Sequence, residues 1–234
     1  MDGMMATIVG VGFVMGLRHA LDPDHVVAVT ALATQKKGWR RTSLVGAFWG
    51  MGHALSLGVV GGAVLALRLE VPPSVADALE AAVAVMLVGL GAVAVRRALR
   101  WRLHAHPHAH DGSVHVHFHA HPRGAEEAHQ HAHALRDGLR PFLVGLVHGL
   151  AGSAGLALLA LGAAPSLSAG LAYILMLGLG SIAGMLILSG LLSLPLAYLE
   201  ARYAAFHRGV QLAAGAASVA FGLWLLLEGP WLGR

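Results

Sequence analysis

The sequence predicts an all-α integral membrane protein with six transmembrane helices, arranged as two inverted three-helix repeats. Three observations carry this prediction: the composition, the number of long apolar segments, and a similarity between the two halves of the chain. Of the 234 residues, 56% are hydrophobic and 12% are charged, and the mean hydropathy is +0.67. Soluble proteins carry about 25% charged residues, so no soluble domain is expected. The chain has no cysteine, which excludes disulfides and thiolate metal ligands.

Six apolar segments are long enough to cross a bilayer, which takes about 20 residues of helix. They lie at approximately residues 5–34, 43–67, 75–96, 139–163, 168–191 and 210–227. The first segment is interrupted at Asp22-Pro23. We expect a kink there, because proline lacks an N–H and its ring clashes with the carbonyl four residues back. The N-terminus has no basic region or cleavage site, so the first segment is expected to be a retained helix.

The positive charges lie mainly in the odd-numbered connections between these segments. They are Lys36, Lys37, Arg40, Arg41, Arg96, Arg97, Arg100, Arg102, Arg123, Arg136, Arg140, Arg202 and Arg208. Cytoplasmic loops are enriched in lysine and arginine. The pattern therefore predicts a multi-pass protein of the cell (inner) membrane with both termini outside and the odd connections in the cytoplasm. Nucleic-acid binding is not expected from charges confined to loops.

The two halves of the chain resemble each other. Residues 13–21 (FVMGLRHAL) match residues 142–150 (FLVGLVHGL), and residues 50–53 (GMGH) match residues 178–181 (GLGS) more weakly. With three helices per half, the halves enter the membrane from opposite sides, and transporters built this way bind substrate near the midplane at broken helices. Glycine-rich helices also resemble each other by chance, but the coincident histidine favours a repeat. We therefore expect a first repeat at 1–100, a cytoplasmic loop at 101–138 and a second repeat at 139–234.

The stretch Arg18–His25 (RHALDPDH) places two histidines and two aspartates inside the first apolar segment. Ionisable groups in a membrane are costly and by default mark a functional site. Asp22 has two interpretations that the sequence leaves open. It is either a metal ligand or the N-cap of the helix that starts at Pro23. A break at Pro23 is what allows one segment to offer several ligands to a single ion.

Six residues are candidate metal ligands. They are His19, Asp22, Asp24, His25, His53 and His148. Imidazole together with carboxylate suits nickel, cobalt, copper and zinc. For His53 and His148 the alternative is that each imidazole only forms a hydrogen bond to a neighbouring helix.

The segment between the third and fourth apolar segments is rich in histidine. Its eleven histidines are His104, His106, His108, His110, His115, His117, His119, His121, His129, His131 and His133. With its prolines and glycines and few large apolar residues, this loop is expected to be disordered without metal and to bind transition metals loosely. Cytoplasmic metallochaperones are expected partners through it. An alternative is a solvated linker with incidental histidines.

The motif His19-x4-Asp24-His25 on a membrane helix resembles the signature of the nickel/cobalt permease family (NiCoT). Residues 48–56 (FWGMGHALS) resemble the second motif of that family. The pattern VHGLAGSA at 147–154 and the six-segment count are similar to its shorter urease-accessory (UreH-like) branch, and the acidic Asp-Thr-Ala-Thr-Glu motif of the longer members is absent. The resemblance implies a transporter of Ni²⁺ or Co²⁺, with His19, Asp24 and His25 in metal recognition and His53 supporting them.

The expected function is therefore transport of a divalent metal ion across the bilayer by alternating access, with no permanently bound cofactor and no enzyme activity. The sequence leaves three alternatives. A membrane protein holding haem between His53 and His148 leaves the Asp-Pro-Asp sequence unexplained. An intramembrane metal hydrolase lacks a His-Glu-x-x-His motif and a nearby glutamate base. A metal-binding accessory protein that does not transport is compatible with the histidine-rich loop.

Overall fold

The computed structural model describes residues 2–35, 39–110, 113–122, 134–151, 166–200 and 204–229. Seven helices and two strands lie in this part of the chain. In order they are α1 (Asp2–His19), α2 (Pro23–Ala33), α3 (Trp39–Leu67), α4 (Pro73–Arg100), β1 (Trp101–His110), β2 (Ser113–Pro122), α5 (Ala134–Gly149), α6 (Leu167–Glu200) and α7 (Ala204–Glu228).

Four of the described helices are long and apolar enough to cross a membrane, namely α3, α4, α6 and α7. Helices α1 and α2 together make a fifth candidate span, bent by 57° at the break between them. The predicted class, an α-helical membrane protein, is thus confirmed. The fourth predicted span, at 139–163, is described only as far as residue 151, and α5 within it ends at Gly149. The described residues therefore contain four or five spans, against the six expected.

The break between α1 and α2 has a local cause in the sequence. After His19 the chain makes a tight turn, in which the N–H of Asp22 donates to the carbonyl of His19 at 3.1 Å. Pro23 then occupies the first turn of α2, where its missing N–H costs nothing. Asp22 stands at the N-cap position with an extended backbone, as one of its two interpretations required. Its side chain, however, makes no capping hydrogen bond.

Close helix contacts are made at glycines. A Cβ at Gly16 of α1 would collide with the carbonyl of Leu177 on α6, and one at Gly46 of α3 with the carbonyl of Met185 on α6. Glycine lets helix backbones approach closely, which is how helices associate in lipid. Helix α3 consequently lies between α5 and α6, while α4 and α7 pack against each other.

The described part of the histidine-rich loop contains two strands, and its disorder in the absence of metal stays a prediction. Strands β1 and β2 pair antiparallel, and their backbone register pairs histidine with histidine at three positions: His104 with His119, His106 with His117, and His108 with His115. Histidine recurs at every second position here, which matches the two-residue period of a strand. Residues 111–112 and 123–133 of the loop lie outside the described part of the chain.

Candidate metal centre

Four histidines from four helices meet at the break between α1 and α2. His19 ends α1, His25 lies in the first turn of α2, His53 lies midway along α3, and His148 is next to last in α5. His25, His53 and His148 are each at most 1% exposed. The ring centroid of His25 lies 4.4 Å from that of His19, 5.1 Å from that of His53 and 4.2 Å from that of His148. His25 is therefore the centre of the cluster.

One set of candidate ligands is the three-imidazole group, made of His19, His25 and His53. Ligand nitrogens of the three lie within 4.8 Å of one another. Nε2 of His19 is 3.2 Å from Nε2 of His53. If an ion binds both nitrogens at the usual metal–imidazole distance of about 2.0–2.1 Å, the N–metal–N angle is about 100°. That angle is suitable for a tetrahedral or octahedral metal ion.

A second set is the carboxylate group, made of Asp24, His25 and His148, whose ligand atoms also lie within 4.8 Å of one another. Oδ1 of Asp24 is 2.9 Å from Nδ1 of His25, and Oδ2 is 2.9 Å from Nε2 of His148. Oδ1 also accepts the backbone N–H of His25. Asp24 thus holds both imidazoles in place, and its side chain remains 29% exposed.

Asp22 belongs to neither group. Its Oδ2 lies 2.7 Å from Nδ1 of His19, and its side chain is 46% exposed. A carboxylate on one ring nitrogen fixes the tautomer and leaves the other nitrogen for a metal. The structure therefore places Asp22 behind His19, where it orients the ring and directs Nε2 towards His53.

Several buried polar atoms in the cluster have no hydrogen-bond partner among the residues that the structure describes. These are Nε2 of His25, Nδ1 of His53, Nδ1 of His148 and Nε1 of Trp49. Leaving such an atom unpaired costs about 1–3 kcal/mol. Unpaired buried groups persist in native structures where another role requires them. For Nε2 of His25, at the centre of the cluster, metal binding is a role that suits the free nitrogen.

Trp49 is a site residue that the sequence reasoning did not identify. Its ring stacks on His25 at 6.1 Å and lies 5.5 Å from His148. It is fully buried and forms part of the hydrophobic core around the cluster. Its position four residues before His53 puts both on one face of α3, and this spacing was the available signal. His207 of α7 is also buried, but it belongs to neither ligand group.

The fold and this cluster define a class: a multi-helix membrane protein with a buried histidine–carboxylate centre at a broken helix. The chain is 32% identical over 229 residues to the urease accessory protein UreH of Bacillus sp. (strain TB-90), an alignment that covers 94% of this chain and 90% of the relative. It therefore belongs to the UreH family, the short branch of the nickel/cobalt permeases that its motifs resemble. No protein-family model and no solved structure matches the chain.

Proposed function

We propose that the protein transports a divalent transition-metal ion, Ni²⁺ or Co²⁺, across the cell membrane. The observation that carries the proposal is the convergence of four imidazoles and the Asp24 carboxylate at a helix break inside a bundle of apolar helices. Burying these groups is costly, and binding a cation offsets the cost. Imidazole with carboxylate, and no thiolate, suits late first-row divalent ions. The name of the relative adds a role as a urease accessory, which this chain would serve by supplying the ion.

We further propose that the bundle consists of two inverted three-helix repeats. Contacts at matched positions support this arrangement. Gly16 approaches the carbonyl of Leu177, and its counterpart Gly145 approaches the carbonyl of Trp49, the residue that the repeat aligns with Leu177. Such exchange of partners is expected of two halves related by a two-fold axis.

A second pair of contacts follows the same rule. Gly52 approaches the carbonyl of Phe142, and its counterpart Gly180 approaches the carbonyl of Phe13. Phe13 and Phe142 are themselves aligned by the repeat. The helices α1 and α5, which carry His19 and His148 at their ends, therefore dock on the opposite half in equivalent ways.

In the proposed mechanism the ion loses water as imidazole nitrogens replace it, and rocking of one half against the other exposes the centre to each side in turn. Asp22 keeps His19 in the tautomer that binds metal, and Asp24 does the same for His25. The histidine-rich loop collects or receives the ion on the cytoplasmic side. The partners are then the ion, the lipid bilayer and cytoplasmic metallochaperones.

The geometry does not favour haem between His53 and His148. Their ring centroids are 6.1 Å apart, but the ring of His25 lies 5.1 Å from the first and 4.2 Å from the second. His25 thus fills space that a macrocycle between the two rings would need. A non-transporting accessory protein, in contrast, would bind the ion without moving it across the bilayer.

The test is metal uptake by the purified protein in liposomes that enclose a metal-sensitive dye. We expect time-dependent uptake of Ni²⁺ or Co²⁺ that is lost in His19→Ala and retained in His207→Ala, the matched control at a buried histidine outside the cluster. Uptake that His19→Ala leaves unchanged contradicts the proposal. Metal binding without any uptake contradicts transport and favours the accessory protein.

A further inference from the structure

We propose that the cluster contains two overlapping metal positions that share His25 and hold one ion alternately. The first position is the three-imidazole group (His19, His25 and His53), and the second is the carboxylate group (Asp24, His25 and His148). This inference rests on the proposed transport function, because the two positions are successive binding positions of the same transported ion.

The shared residue is what makes the two positions exclusive. Nδ1 of His25 lies against Oδ1 of Asp24 at 2.9 Å, whereas its Nε2 is buried and has no hydrogen-bond partner in the described part of the chain. The two nitrogens thus have different surroundings. A neutral imidazole has one nitrogen with a free lone pair, so His25 binds an ion through one side at a time.

The two positions also differ in chemistry. The three-imidazole group offers three neutral nitrogens, while the carboxylate group offers two nitrogens and one charged oxygen. An ion in the first position has Asp24 behind His25, in the carboxylate–histidine–metal arrangement that orients a metal-binding ring. An ion in the second position is bound by Asp24 directly. The same carboxylate therefore supports one position and forms part of the other.

The positions differ in which half of the protein supplies them. His19, His25 and His53 all precede the histidine-rich loop, on α1, α2 and α3, whereas His148 follows it, on α5. The three-imidazole group is thus complete within the first half of the chain. The carboxylate group exists only while α5 holds His148 at 2.9 Å from Asp24. A movement that separates α5 from α2 removes the second position, whereas the first position has no ligand on α5.

The experiment uses the full-length chain with its eleven loop histidines replaced by asparagine, so that only the membrane histidines bind. Co²⁺ is titrated by calorimetry, and the visible absorption of bound Co²⁺ reports its ligands. We expect one Co²⁺ per chain. His53→Gln and His148→Gln should each still bind one Co²⁺, with lower affinity than the parent and with visible spectra that differ from each other. His25→Gln should lose binding, and His207→Gln should match the parent.

Two results overturn the inference. The first is binding of two Co²⁺ by the parent chain, which means independent sites. The second is loss of all binding in His53→Gln or His148→Gln in a variant that elutes as a folded, monodisperse protein, which means one composite site. Liposome uptake by the parent chain is measured in parallel. Its absence contradicts the transport function, whereas uptake together with either of the two results contradicts only the shared-ligand arrangement.

Discussion

Oδ2 of Asp24 lies 2.9 Å from Nε2 of His148, although the two residues are 124 positions apart in the chain. This contact joins the broken helix of the first half to the end of α5 in the second half. Because the same carboxylate also contacts His25, charge and geometry in the cluster both depend on Asp24.

Replacing Asp24 by asparagine should abolish high-affinity metal binding. The substitution keeps the shape but removes the negative charge and one acceptor, so that the two imidazoles it holds lose their orientation. We expect affinity for Ni²⁺ to fall by about a hundredfold, measured by calorimetry. Asp77→Asn on α4 is the control and should bind as the parent does. Unchanged affinity in Asp24→Asn is incompatible with a ligand or orienting role.

Substitutions of Asp22 distinguish two roles, that of orienting His19 and that of binding the metal ion directly. If Asp22 orients His19, Asp22→Ala should weaken Ni²⁺ binding by about tenfold, and Asp22→Asn should weaken it less, because the amide oxygen still accepts the Nδ1 proton of His19. The comparison is made by calorimetry on matched preparations. Equal, severe losses in both variants indicate instead that the charged carboxylate binds the ion itself.

Gly16→Ala should destabilise the protein. A Cβ at this position meets the backbone of α6, which cannot move away as a flexible side chain can, and overpacking of this kind costs about 1–3 kcal/mol. Gly10→Ala on the same helix is the control, since a Cβ there has no atom of the described residues within 4 Å. We expect a lower Tm for Gly16→Ala only. The Tm is measured from the loss of helical circular dichroism on heating. Equal Tm values for the two variants argue against the close α1–α6 contact.

Trp49 should report metal binding by its fluorescence. Its ring stacks on His25, so Ni²⁺ in either position lies within quenching distance. In the chain whose loop histidines are replaced by asparagine, we expect saturable quenching that disappears in Trp49→Phe and persists in Trp224→Phe. Quenching that survives Trp49→Phe places the ion elsewhere.

The sequence was sufficient for those parts of the centre that lie close together in the chain. Pro23 predicted a helix break, and a turn with α2 starting at Pro23 is found there. His19, Asp24 and His25 lie around this break, where the sequence placed the candidate ligands. The similarity between residues 13–21 and 142–150 singled out His148, whose ring does reach the cluster.

Other relationships depend on packing between helices, which the spacing of residues along the sequence does not predict. The contact of Asp22 with His19 is an exception, because it is local, between residues three apart; the sequence left open whether the carboxylate caps α2, and the turn geometry brings it against His19 instead. Trp49 lies within the motif at residues 48–56, yet only the docking of α5 on α3 brings it against His148. In the loop, composition favoured disorder, while the alternation of histidine matched the antiparallel pairing of β1 with β2.

The ends of α1 and α5 have an electrostatic consequence. Both helices end at or next to a clustered histidine, His19 in α1 and His148 in α5, so both direct their carboxyl ends at the centre. The aligned peptide dipoles of a helix leave about half a negative charge at that end. Two such ends attract a cation and repel an anion before any side chain is engaged. The backbone at the carboxyl ends of α1 and α5 therefore favours a cation at the centre, in addition to the imidazoles.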